Sequence, residues 1–152
     1  MKPGFQNDYL DVRTANGADD TLLNNLDFVT RNGVLYRVPT GSTTDGVSTP
    51  RIIRNLPGYD ATGDNWLSGV LHDAAYRGTL LKQSADTTFE RAMLTQAEAD
   101  ALILEAMTLQ GVGVIRRNII YRALRLFGSK AFNEDRGTVT GNIFSFIHLF
   151  IL

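Results

Sequence analysis

Near Asp64 the hydrophobic pattern of the chain changes period, and that change bounds what it can fold into. Before it, apolar residues come in short runs cut by glycine, asparagine and proline. Leu26 to Thr30 and Val34 to Val38 flank Arg31-Asn32-Gly33, and Asn-Gly between two such runs signals a hairpin. A type I′ turn is expected there, with positive φ at both central residues. Pro39 ends the second strand, and Pro50 and Pro57 keep the next stretch irregular. After Asp64, a plausible N-cap, Trp66, Leu67, Val70, Leu71, Ala74 and Ala75 recur at helical spacing up to Gly78. A connector from Thr79 to Leu94 follows, with a short strand expected in TTFERAML. Thr95-Gln96-Ala97-Glu98 has the form of a capping box and opens a second helix that ends at Gly111. A third helix is expected from Val114 to Phe127, stopped by Gly128. The fold class is therefore α+β, an N-terminal hairpin or small sheet packed on a bundle of about three helices.

The length, 152 residues, fits one domain. We place that domain at residues 1–132, with a linker and apolar tail at 133–152. With 43% hydrophobic residues, 20% charged residues and a net charge of −1, the chain is neither a disordered segment nor a nucleic-acid coat. It has no cysteine, which excludes disulfides, thiolate metal sites and a cysteine nucleophile. No internal run approaches the roughly 20 apolar residues of a spanning helix. The tail, FSFIHLFIL at 144–152, carries no charge. Its five large side chains, Phe144, Phe146, Ile147, Phe150 and Ile151, are expected to be buried against another chain.

The residues that can carry chemistry cluster in LHDAAY, inside the first expected helix. His72 and Tyr76, four apart, share a face, and Asp73 lies about 100° around. The chain has two histidines, His72 and His148, which is too few for a histidine-held phosphohydrolase metal or a helical zinc-protease pair. A general base oriented by a carboxylate remains, as does an oxygen-ligated calcium site. Asp86 and Asp100 are the two candidates to orient His72, and Asp100, just inside a capped helix, is preferred. In TTDGVSTPR, Asp45 is a candidate second carboxylate beside Asp73, and Thr44 and Arg51 are candidate substrate contacts, Arg51 as an anion clamp. Arg116, Arg117, Arg122 and Arg125 read as a solvated face of the third helix, with contact to phosphate or to an acidic partner the second reading.

Taken together and in order, VPTGSTTDGVSTPR at 38–51, LHDAAY at 71–76, ADALILEAM at 99–107 and YRALRLFG at 121–128 resemble a family of small phage and prophage proteins of unknown function. The resemblance covers a core of residues 26–128 and supports Asp100 over Asp86, because Asp100 stands in the matching helix. The connector at 79–94 reads as a variable insertion. The His-Asp helices are also similar to those of phospholipases A2, including the viral-capsid type. That second resemblance implies His72 as the base that deprotonates a water, Asp100 as its orienting acid, Tyr76 as a support and Asp73 as a calcium ligand. The chain departs from it in lacking disulfides and a glycine-rich calcium loop just ahead of the helix, and in having Ile103 where an aromatic residue would follow Asp100.

Two functions are carried forward. The first is a phage virion-associated structural or adaptor protein, of the tail, made in the host cytoplasm and held to other virion proteins or to itself through residues 144–152. The second is a small phospholipase A2-like hydrolase acting on envelope lipid or another ester, with calcium as its possible cofactor.

Overall fold

A computed structural model describes residues 1–7, 9–14, 19–44 and 66–134. The fold is α+β, with two antiparallel sheets against helices. The strands before the helices are β1 (Gly4–Phe5), β2 (Val12–Thr14), β3 (Asp20–Leu22), β4 (Leu26–Val29), β5 (Leu35–Val38) and β6 (Thr43–Thr44). Helix α1 (Trp66–Tyr76) follows, then β7 (Leu81–Gln83) and β8 (Phe89–Arg91), then α2 (Gln96–Leu109) and α3 (Val114–Phe127). A further short helical segment covers 129–134. The larger sheet has the order β1-β4-β5-β7-β8, and the smaller β2-β3-β6.

The central hairpin pairs Leu26 with Val38 and Val29 with Leu35. Its alternation buries Leu26, Phe28, Leu35 and Val38. The turn differs from the type I′ expected. Gly33 alone has positive φ, at 80°, and its N–H bonds the Thr30 carbonyl at 2.9 Å. Thr30 N–H then bonds Val34 O at 2.9 Å. This is the three-residue loop in which a right-handed turn hands over to a left-handed glycine. Arg31 adds one residue ahead of Asn-Gly, so a two-residue turn cannot close these strands in register.

The segment from Thr79 to Leu94 is not a decoration of the domain. Its β7–β8 hairpin extends the larger sheet, with Tyr36 opposite Lys82 and Arg37 opposite Leu81. Arg37 holds Asp27 through two hydrogen bonds of 2.7 and 2.6 Å, and its guanidinium lies 4.2 Å over the Phe89 ring. Asp86, at the tip, is tied to Ser84 and Thr88, whose hydrogen bonds hold its carboxyl down at about 2.

The helix boundaries follow local chemistry. α1 ends in a left-handed Gly78 (φ 68°), with Thr79 N–H on Ala74 O at 3.0 Å and Gly78 N–H on Ala75 O at 3.3 Å. That pair of bonds uses up the last carbonyls of the helix. α2 ends in the same way at Gly111 (φ 82°), through Val112 N–H to Met107 O and Gly111 N–H to Thr108 O. It opens with the expected capping box, Thr95 and Glu98 each bonding the other's backbone N–H. Asp64 lies outside the described residues.

One apolar core joins the sheets to α1 and α2 through Leu26, Phe28, Val38, Leu71, Leu80 and Ala106. A second, of Ile103, Met107, Val112, Ile120 and Leu124, joins α2 to α3. Helix α1 is buried on nearly every side from Val70 to Tyr76, polar residues included. That is why its sequence shows an apolar stripe and a polar cluster at once.

Phe28 is fully buried and its ring centroid lies 4.9 Å from that of Phe5. Phe28→Ala is expected to cost roughly 3–5 kcal/mol. Urea unfolding monitored by circular dichroism checks it, and a loss under about 1 kcal/mol would place the core elsewhere.

Candidate functional site

Helices α1 and α2 run antiparallel. Ser68, at the start of α1, donates a hydrogen bond to Gln110, just past the end of α2, while Tyr76 meets Asp100 near the α2 start. Between these two ties the helices face each other across His72.

Asp100 is the centre of the site and is fully buried. His72 Nε2 lies 3.2 Å from its Oδ1, and Tyr76 donates its hydroxyl to the same oxygen at 2.6 Å. Arg125, from α3, donates Nη1 to Oδ2 at 3.0 Å. Burial pushes the Asp100 carboxyl up, but the bonds from His72, Tyr76 and Arg125 outweigh it and hold it below the usual carboxylate range. Burial, and then the bond to an ionised Asp100, push the Tyr76 hydroxyl up, so it remains a donor. An ionised carboxylate only accepts, so Nε2 of His72 carries the proton that faces it. In the neutral ring Nδ1 then keeps the lone pair, and among the described residues nothing hydrogen-bonds to it. The imidazole is held on its flank by the Tyr76 ring, with centroids 4.0 Å apart, and Tyr76 in turn meets Phe132 edge to face.

Asp73, about 100° around α1 from His72, meets a different neighbour. Its Oδ2 accepts from the Thr44 hydroxyl at 2.7 Å, and both residues are buried. This bond pins β6 to α1 and ties Thr44, the candidate substrate contact, to a carboxylate. Arg77 adds a second tie, through Nη1 to Thr43 O at 2.8 Å. The segment leading into TTDGVSTPR is thus brought to the LHDAAY helix. Asp45 and Arg51 lie outside the described residues. Among the described residues no group of three or more histidine or acidic side chains could hold a metal ion.

Of the expected residues, His72, Tyr76 and Asp100 converge, and Asp86 stands apart on the hairpin tip. Arg125 does not belong to the solvated face that the charge pattern of α3 predicts; it supplies the cation on Asp100. Sequence reasoning also missed Gln96, which donates to Leu124 O at 3.2 Å and holds the end of α3 over the site. Gly128 was read only as a helix stop. A Cβ there would lie 2.5 Å from the Tyr76 hydroxyl, 2.5 Å from Leu124 O and 3.1 Å from Gln96 Nε2. It is glycine because the chain passes directly over the tyrosine, and no local pattern signals such a distant approach.

The fold and site together define a small α+β protein with a shielded His-Asp-Tyr-Arg network between helices. The chain belongs to the family described as protein of unknown function (DUF1353), which residues 21–124 match. The match reaches back to Thr21, in β3, which pairs with the Thr43–Thr44 strand beside Asp73. No curated protein and no solved structure matches the chain.

Two predictions follow from this geometry. Because the folded Asp100 carboxyl is lowered from an unfolded value near 3.9, its contribution is present above that value and lost as pH falls through the folded one. Asp100→Asn is expected to cost about 1.5–3 kcal/mol at pH 7 and to flatten the acid limb below about pH 4. Denaturant titrations from pH 7 to pH 2 check this, and an unchanged acid limb would contradict it. Gly128→Ala is expected to destabilise by roughly 1–3 kcal/mol, against the usual gain from replacing glycine in a helix terminus. A neutral or stabilising result in thermal unfolding would show that the chain has room over Tyr76.

Proposed function

We propose that the protein is a small hydrolase in which His72 activates a water for attack on an ester. The observation that carries this reading is the single-sided anchoring of the imidazole. Asp100 takes Nε2 at 3.2 Å, and Tyr76 and Arg125 fix Asp100 in turn. A base needs its proton-accepting nitrogen unengaged and its other nitrogen oriented. Nδ1 of His72 accepts the proton of a water, and the resulting hydroxide adds to the ester carbonyl. Asp100 stabilises the imidazolium. The intermediate collapses by breaking the bond to the alkoxide, which takes the proton back from Nδ1 and leaves as an alcohol. No step runs through a metal. The resemblance to phospholipases A2 points to a lipid ester as substrate, with Asp73 and Asp45 as the residues a calcium ion would use. Calorimetry with calcium chloride on the wild type and on Asp73→Asn tests that part separately, and equal, negligible heats remove it.

A second reading keeps the network as a structural tie in a virion-associated, tail-type adaptor of a phage. It is favoured by burial, with His72 only 5% exposed, and by the uncharged sequence at 144–152, which needs cover from a partner or from the chain itself.

The experiment is hydrolysis of phospholipid vesicles and of short-chain aryl esters by full-length protein. The wild type is expected to be active, and His72→Gln to lose about 10²–10⁴-fold in kcat while keeping a cooperative unfolding transition. Absence of wild-type hydrolysis, or equal rates in the variant, would leave the adaptor reading in place.

A further inference from the structure

Helix α3 presents a surface that neither the core nor the site uses. It buries Ile120 and Leu124 against α2. On the other side Ile115 is 78% exposed, Leu126 72% and Ile119 44%. At about 100° per residue, Ile115, Ile119, Arg122 and Leu126 fall within an arc of about 60° on the helix wheel. Val114 and Phe127, at the two ends, are also more than half exposed. Every ionic residue of the helix is an arginine: Arg116, Arg117, Arg122 and Arg125. Arg125 is committed to Asp100 and Arg117 to Val112 O, and Arg122 is the arginine that lies within the exposed stripe.

An apolar stripe with only positive charge beside it selects its occupant. Two copies meeting through this stripe would set Arg122 against Arg122 across a symmetric interface, which is repulsive. An uncharged segment would cover the isoleucines and leave Arg122, which lies among them, unanswered. An anionic bilayer surface answers both, since acyl chains receive the apolar side chains and lipid phosphates receive guanidinium groups. No helix among the described residues is long and apolar enough to cross a membrane, and an exposed apolar stripe that carries Arg122 suits lying on one.

We propose that α3 is a membrane-surface helix, which inserts Ile115, Ile119 and Leu126 at the headgroup boundary of an anionic phospholipid bilayer while Arg122 meets lipid phosphate. The inference stands on α3 alone and does not depend on the hydrolase reading. If both hold, the membrane face and the site lie on two sides of one helix, because Arg125 reaches Asp100 from it.

The chain has no cysteine, so a single introduced cysteine is a clean reporter. Full-length Leu126→Cys, carrying an environment-sensitive fluorophore, is mixed with phosphatidylglycerol or phosphatidylcholine vesicles. Co-sedimentation and a blue shift are expected with phosphatidylglycerol, weakened by salt, and little of either with phosphatidylcholine. The double substitution Ile115→Ser with Leu126→Ser, both at exposed positions, is expected to lower partitioning about tenfold or more without lowering the melting temperature. Three results would overturn the proposal. One is no binding to anionic vesicles. Another is binding undiminished by the double substitution, or binding with an unshifted label, since another segment then carries it. The third is a concentration-dependent dimer that the double substitution abolishes while the wild type ignores vesicles, which would make the stripe a self-interface.

Discussion

A single buried carboxylate sets the arrangement of the three helices. Asp100 is fully buried on α2, and its partners come from both neighbours, His72 and Tyr76 from α1 and Arg125 from α3. An ionised group in that position costs several kcal/mol unless its oxygens are answered. The donors must therefore arrive together, and they arrive only when both helices take their native places. Apolar packing alone leaves helices some freedom to rotate or slide. The Asp100 cluster removes it, and Gly128 lets the end of α3 descend onto the tyrosine. About 100° around α1 from His72, the Thr44–Asp73 bond does the same for the smaller sheet. Helix α1 is thus fixed from two sides by hydrogen bonds to its own HDAAY residues.

The same constraint gives the site its chemical character. A histidine held at one nitrogen by an ionised acid has one tautomer and one orientation, at no cost at the moment of proton transfer. Tyr76 cannot compete as a base, because burial and Asp100 both keep its proton on. A structural tie and a poised base share this geometry, and access of water to Nδ1 separates them.

How much of this was legible depended on the range of the interaction. The hairpin, the capping box and the three helices are written in neighbouring residues, and they stand where the periodicity and the turn residues place them. The turn type missed because one residue, Arg31, changes the loop length, and the strand register decides what the loop must be. Asp100 could be preferred over Asp86 because one lies in a capped helix that matches the family pattern and the other in the connector, and the structure shows Asp86 satisfied locally by Ser84 and Thr88. Arg125, Gln96 and Gly128 were not legible as site residues. An arginine on a basic helix looks the same whether it faces water or a carboxylate from another helix. The β7–β8 hairpin reads as an insertion because it lies between the matching family segments, and its pairing with β5 is a contact between distant segments.

The direct test of the central claim is the state of the His72 ring. Long-range ¹⁵N–¹H correlation spectra of the full-length protein at neutral pH report which ring nitrogen carries the proton. In the neutral ring one tautomer, protonated at Nε2, is expected in the wild type, and a mixture in Asp100→Asn. A wild-type ring protonated at Nδ1, or one averaging between tautomers as free histidine does, would contradict it.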